Sequence, residues 1–121
     1  MLEYRNVSAR YGKLIALADV SLTVADGERV AIFGHNGAGK TTLLACAVGG
    51  IEDMDGNVTC GGQAVVPGAV YRNARHGVGF VPQGHNVFKN LSVERNLHIA
   101  GLMHDAAYIS TVYELFPILA E

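Results

Sequence analysis

At positions 34 to 41 the sequence reads Gly34-His35-Asn36-Gly37-Ala38-Gly39-Lys40-Thr41, which fits the pattern G-x-x-x-x-G-K-[ST] of a phosphate-binding loop. The apolar run 29–33 precedes this loop, after the turn signal Asp26-Gly27, and predicts a buried strand. Residues 41–48 predict a helix that ends at Gly49-Gly50. A strand, a glycine-rich loop and a helix in this order favour a phosphate-binding loop over the alternative, a glycine-rich turn with a solvated lysine.

The backbone of this loop is predicted to bind phosphate groups. Glycine has no Cβ, so the three loop glycines allow the chain to curl and to approach a ligand closely. Successive N–H groups can then point inward, and the positive end of the following helix adds to their attraction for an anion. We interpret His35 as a backbone donor without a catalytic role. The predicted binding residues of the loop are Gly34, His35, Asn36, Gly37, Ala38 and Gly39.

Three side chains at the start of the predicted helix complete this site. Lys40 is predicted to reach the β- and γ-phosphates and to act catalytically by neutralising charge on the transferred phosphoryl group. The Thr41 hydroxyl is predicted to ligate Mg²⁺, and Thr42 to donate a further hydrogen bond to phosphate. The sequence therefore predicts a site for a nucleoside triphosphate with Mg²⁺.

Composition indicates a globular α/β protein. Half of the 121 residues are apolar, which argues against disorder. Nine Lys and Arg residues stand against eleven Asp and Glu residues, and no basic stripe suggests nucleic acid as a partner. No apolar stretch approaches the length needed to span a bilayer, so we expect no direct membrane insertion. Cys46 and Cys60 form no C-x-x-C pair and are interpreted as reduced core cysteines.

Local patterns predict further elements along the chain. Turn residues at 11–13 separate two of the predicted strands, and Pro82 stops another. Ser92 is a candidate N-cap, and Pro117 is expected to end or kink the last helix. The predicted strands are 2–7, 21–24, 57–60 (opened by Asp55-Gly56) and the buried run 78–81, and the predicted helices are 70–75, one from Ser92, and one from Asp105 towards Leu115.

Two residues outside the loop make the sequence recognisable. Tyr11 precedes the loop, and Gln83 follows it in Val81-Pro82-Gln83. This order resembles the ATP-binding subunits of ABC transporters. The resemblance implies that Tyr11 stacks on the adenine of ATP, where it could otherwise be a surface tyrosine. It also implies that Gln83 helps to ligate Mg²⁺ and contacts the attacking water, where it could otherwise be an ordinary turn residue.

Five segments in one register narrow the resemblance to the ATPase subunit of branched-chain amino-acid importers, with urea and amide importers as close relatives. They are Tyr11-Gly12-Lys13, Gly37-Ala38-Gly39-Lys40-Thr41-Thr42-Leu43-Leu44, Val81-Pro82-Gln83-Gly84, Asn86-Val87-Phe88 and Leu91-Ser92-Val93-Glu94-Arg95-Asn96-Leu97. The implied fold is α/β, a P-loop NTPase core of the ABC ATPase type with N-terminal antiparallel β-strands and the start of a helical subdomain. The implied boundaries are 1–83 for the nucleotide-binding core and 84–121 for the helical subdomain.

Several motifs of that family do not occur in these 121 residues. They are the Leu-Ser-Gly-Gly-Gln signature loop, an apolar strand ending in Asp-Glu with the catalytic carboxylate, and the distal histidine that contacts the γ-phosphate. We therefore expect the chain to be a truncated N-terminal half. Alone it should bind ATP weakly and hydrolyse essentially none, because it lacks the general base.

The resemblance also implies partners: the permease transmembrane subunits and a second ATPase subunit, on the cytoplasmic face of the membrane. Substrate selection belongs to the permease and its binding protein, so the cargo is not predicted from these residues. Three alternatives stay open at this point: a soluble ABC-type ATPase, a GTPase or small-molecule kinase, and an inactive nucleotide-binding module. A GTPase would carry Asn-Lys-x-Asp, which does not occur here.

Overall fold

The computed structural model describes residues 1–84, 86–101 and 107–120, and of Ala107 only the backbone. The chain divides into two units, Met1–Phe80 and Val81–Glu121. Each unit has its own internal packing. The first holds the phosphate-loop sequence and the second holds Gln83.

A four-stranded antiparallel sheet forms the first unit, together with two helices. Its strands are β1 (Leu2–Tyr11), β2 (Leu14–Val24), β3 (Met54–Cys60) and β4 (Gln63–Ala64), in the spatial order β2-β1-β3-β4. The helices are α1 (Lys40–Ala47) and α2 (Val70–Ala74). β1 and β2 form a hairpin whose turn, Gly12-Lys13, has Gly12 at φ 58°, a conformation that glycine adopts without strain.

Paired irregularities bend the hairpin near its middle. Asn6 in β1 and Asp19 in β2 both have φ 50°, and the Asn6 side-chain amide donates a 2.9 Å hydrogen bond to the Asp19 carboxylate. Ser21 and Ser8 hydroxyls accept hydrogen bonds, each 2.9 Å, from the backbone N–H groups of Asn6 and Asp19. The strand register shifts at this place. Such bulges increase strand twist, which suits a sheet that packs one face against a helix.

The core lies between this sheet and α1. Alternation along β1 buries Val7 and Ala9, since successive side chains of a strand point to opposite faces. The irregularity at Asn6 shifts this phase, so Tyr4 is buried in the same core three positions before Val7. α1 buries one side of its short length against them. The buried apolar residues of this cluster are Tyr4, Val7, Ala9, Leu17, Leu43, Cys46, Ala47, Ile51, Val58 and Val65.

Two predicted buried strands are wrong. Residues 29–33 and 78–81 form no strand, and their apolar side chains are exposed except for the partly buried Val78: Phe33 is 91% exposed and Val81 82%. A buried strand of an α/β sheet needs hydrogen-bonded neighbours, since unpaired backbone groups cannot be buried without cost. Among the described residues, no strand pairs with either segment. Apolar composition therefore predicted burial that these residues do not have.

The other predicted elements of the first unit are present with changed bounds. β1 and β2 run further towards their shared turn than expected, and Asp55-Gly56 lies inside β3 instead of before it. The predicted helix stop is confirmed, because α1 ends at Ala47 and Gly49 has φ 72°. The short helix predicted at 70–75 is α2.

The described residues of the second unit form the α-helices α3 (Val93–Ala100) and α4 (Ala107–Leu115) and a 3₁₀ helix over Pro117–Ala120. Ser92 caps α3, as predicted, by accepting a 3.3 Å hydrogen bond from the Arg95 N–H. The Asn96 side chain bonds both the N–H (2.7 Å) and the carbonyl (3.1 Å) of Phe88, which ties the preceding loop to α3. The predicted helix start at Asp105 lies outside the described residues. Within the described part of the chain, no helix has the length and apolar character to cross a bilayer.

Candidate phosphate-binding site

Loop 34–39 curls tightly before α1 begins. Gly37 and Gly39 have φ angles of 85° and 87°, which lie in the left-handed region that residues with a Cβ rarely adopt. The Lys40 ammonium folds back over this loop and donates to the carbonyl oxygens of Gly34 (2.7 Å) and His35 (2.8 Å). These two bonds hold a positive charge at the loop, where the motif requires one.

The N-terminus of α1 is open towards the loop. Its N-cap, Gly39, has no side chain and offers no capping hydrogen bond. The first N–H groups of a helix have no partner within the helix, and the helix dipole places partial positive charge there. Uncapped N–H groups beside a lysine ammonium are a donor set that suits a phosphate anion. The geometry of the loop thus fits the group that the sequence predicted.

β2 of the sheet supports the last glycine of the loop. A Cβ built on Gly39 would lie 2.8 Å from the Ala16 carbonyl oxygen and 2.9 Å from Leu17 Cδ2. Gly37 has nearly the same φ, yet a Cβ there would meet nothing within 4 Å. The loop therefore needs glycine for two reasons: backbone conformation at both positions, and close approach to β2 at Gly39 alone.

This difference predicts unequal costs for two matched substitutions. Gly37→Ala should lower the free energy of unfolding by about 1–2 kcal/mol, because it adds only left-handed strain. Gly39→Ala should lower it by about 1–3 kcal/mol more, because the new methyl group also collides with β2. Urea denaturation of both variants measures the difference. Equal losses would show that the close approach at Gly39 is unimportant.

Tyr11 lies at the end of the same hairpin. It is the last residue of β1, pairs with Leu14, and is 53% exposed. Leu17, which lies against Gly39, pairs with Ala9 only two positions before Tyr11. The hairpin therefore carries the predicted base-stacking residue a few ångströms along the strand from the support of the phosphate loop.

The remaining predicted site residues differ in exposure. Thr41 is exposed, whereas Thr42 is only 7% exposed. The His35 ring bonds the Asn36 carbonyl through Nδ1 at 2.8 Å, so the loop uses this side chain internally. Gln83 lies in an exposed bend of the second unit. The predicted Mg²⁺ role of Thr41 and Gln83 stays a prediction.

Sequence reasoning missed Tyr4 and Asn73. The Tyr4 hydroxyl donates a buried 2.8 Å hydrogen bond to the Leu43 carbonyl of α1. Burial is the main cause that raises the pKa of this hydroxyl, and the charges of Cys46 and Cys60 raise it further. Asn73 is 2% exposed and bonds backbone groups near the end of α1. Both partners are distant in sequence, so no local pattern indicates them.

Comparison with known protein families assigns the chain to one of them. The family model described as ABC transporter matches residues 17–120 of the chain. The chain belongs to the ABC transporter family. This confirms the resemblance predicted from Tyr11, the phosphate loop and Gln83. The ABC model begins within β2 and includes the whole phosphate loop and α1.

Individual relatives in sequence differ in the cargo that their names state. The high-affinity branched-chain amino acid transport ATP-binding protein BraG of Pseudomonas aeruginosa is 39% identical over 125 residues, covering 100% of this chain and 54% of that protein. The lipopolysaccharide export system ATP-binding protein LptB of Escherichia coli is 38% identical over 96 residues, covering 79% of this chain and 40% of LptB.

A solved ABC structure shows the same fold. It is a dimeric ATP-binding cassette in a post-hydrolysis state bound to ADP and phosphate, 25% identical, with a TM-score of 0.73 over 88% of this chain and 49% of that chain. This likeness confirms the predicted fold class. The chain spans about half the length of these proteins, or less.

Proposed function

We propose that this chain is the phosphate- and base-binding part of the ATPase subunit of an ABC importer, which couples ATP binding and hydrolysis to uptake of branched-chain amino acids or a similar small solute. The observation that carries the proposal is the curled loop, with Lys40 held over it and the uncapped start of α1 behind it. The family match and the BraG likeness, which spans the whole chain, support the transporter assignment.

Each site residue receives one role in this proposal. The backbone N–H groups of the loop and of the first turn of α1 bind the phosphates, and Lys40 neutralises the charge that develops on the transferred group. Thr41 and Gln83 would hold Mg²⁺, which would neutralise phosphate charge when bound. Thr42 donates to phosphate from its buried position. Tyr11 offers its exposed ring to adenine.

The proposal extends to the assembly in which the family works. We propose that the subunit pairs with a second ATPase subunit and with permease transmembrane subunits on the cytoplasmic face of the membrane. The boundary between core and helical subdomain is proposed at 83/84, close to the division of the structure after Phe80. Hydrolysis is proposed to require the carboxylate and signature loop of the complete assembly.

A second candidate function follows from LptB, an export-system relative of nearly equal identity. BraG aligns with all of this chain and LptB with 79% of it, which favours the importer. Uptake of isotope-labelled leucine, compared between cells that carry the gene and cells that lack it, distinguishes the two candidates. Loss of leucine uptake on deletion supports the importer, and unchanged leucine uptake with defective lipopolysaccharide export supports the second candidate.

Base stacking gives the direct test of the nucleotide site. Tyr11→Ala should weaken binding of Mg-ATP by about 5- to 100-fold, because stacking of a base on an aromatic ring contributes roughly 1–3 kcal/mol. Isothermal titration calorimetry on the purified chain measures this loss. Tyr11→Phe is the matched control and should bind ATP as the wild type does. ATP affinity that ignores Tyr11→Ala would contradict the role of Tyr11.

A further inference from the structure

Apolar core packing holds α1 on the antiparallel sheet, and two further contacts join them close to the phosphate loop. The first is the close approach of Gly39 to Ala16 and Leu17 of β2. The second is the buried 2.8 Å hydrogen bond from the Tyr4 hydroxyl of β1 to the Leu43 carbonyl. Leu43 also donates its N–H to the Gly39 carbonyl at 2.8 Å, so it closes the first turn of the helix directly behind the loop.

A helix that packs on a sheet through apolar side chains can still tilt slightly, whereas two close contacts one turn apart restrict the direction of its axis. The N–H groups at the start of α1 lie along this axis, so their direction follows from both contacts. The tyrosine hydroxyl is suited to the second contact, because burial leaves it no water to bond and a helix carbonyl as its acceptor. The hydrogen bond therefore restricts where the loop and the start of α1 lie relative to β1, while the contacts within the loop itself do not involve Tyr4.

β1 links this contact to the base-stacking residue. Tyr4 lies near one end of the strand and Tyr11 is its last residue. The strand that is hydrogen-bonded to α1 through Tyr4 thus also carries Tyr11, whose ring is proposed to stack on adenine. A ligand that binds two places at once gains affinity only when their relative placement matches its own length.

We infer that Tyr4 is a positioning residue for a nucleoside triphosphate: it sets the placement of the phosphate loop relative to Tyr11, so that one ligand fills both places. The inference rests on the proposed nucleotide site and deepens it. It distinguishes two kinds of ligand. ATP spans loop and ring and depends on their relative placement, whereas inorganic tripolyphosphate occupies the loop alone and does not.

The test compares these two ligands on the wild-type chain and on Tyr4→Phe, which keeps the packed ring and removes only the hydroxyl. We expect Tyr4→Phe to weaken the binding of Mg-ATP by about 3- to 10-fold, because this is the contribution of a typical hydrogen bond. The binding of Mg-tripolyphosphate should be unchanged. On a Tyr11→Ala background, Tyr4→Phe should no longer affect ATP. Equal weakening of both ligands indicates a merely structural role and overturns the inference, as does unchanged ATP affinity.

Two controls keep these outcomes separate. Tyr71→Phe makes the same chemical change at a 78% exposed tyrosine of α2 and should alter neither ligand. Calorimetric stoichiometry excludes irreversibly unfolded molecules, and a reversible loss of folded protein would weaken both ligands by the same factor, so the ratio of the two affinities is the quantity compared. Wild-type binding of ATP no tighter than of tripolyphosphate would show that the proposed base site is wrong. If ATP binds more tightly than tripolyphosphate, and this preference is lost in Tyr11→Ala but kept in Tyr4→Phe, the inference about Tyr4 is wrong and the proposed nucleotide site stands.

Discussion

Lys40→Ala is expected to weaken binding of Mg-ATP by about 10- to 100-fold, because a hydrogen bond to a charged group contributes roughly 1.5–3 kcal/mol. The ammonium is the positive side chain held at the loop, through the carbonyls of Gly34 and His35. Its removal takes away both the proposed donor to phosphate and the side-chain hydrogen bonds to the Gly34 and His35 carbonyls. Isothermal titration calorimetry measures the loss.

Lys89→Ala is the matched control, since Lys89 is an exposed lysine in the second unit. It should bind ATP as the wild type does. Far-ultraviolet circular dichroism should be unchanged in both variants, because neither side chain belongs to the buried core. Wild-type affinity in Lys40→Ala would contradict the assignment of this loop as the phosphate site.

Asn73→Ala is expected to lower the free energy of unfolding by about 3–5 kcal/mol, because each buried backbone group left without a partner costs roughly 1–3 kcal/mol. The Asn73 amide donates to the carbonyls of Val48 (3.1 Å) and Val66 (2.8 Å), and its oxygen accepts from the Val66 N–H at 3.0 Å. Gly49 packs so closely that a Cβ there would lie 2.3 Å from the Asn73 nitrogen.

Chemical denaturation of Asn73→Ala and of Asn57→Ala separates these bonds from a general effect of removing an amide. Asn57 is exposed on β3, so its replacement should change stability by less than about 0.5 kcal/mol. Comparable losses in the two variants would show that the Asn73 bonds do not stabilise the end of α1. Such a loss at Asn73 alone would identify this side chain as the link between α1 and the segment at Val66.

Some elements were predictable because their signals are local. The hairpin turn, the Ser92 cap and the end of α1 each depend on a few residues that are neighbours in the sequence. Local signals gave a wrong prediction for residues 29–33 and 78–81, which form no strand. An apolar run indicates a preference for burial, but burial requires a neighbouring strand, and no sequence window shows whether that neighbour is present.

For the binding site, the identity of the phosphate loop follows from the sequence, because glycine spacing and the lysine that follows are properties of eight consecutive residues. The support of that loop required the folded chain. Tyr4 reaches Leu43 across 39 positions and Asn73 reaches Val48 across 25. Gly39 meets Ala16 and Leu17 from another element altogether. Contacts of this range arise from how a helix packs on a sheet, and that packing is set by the whole core together.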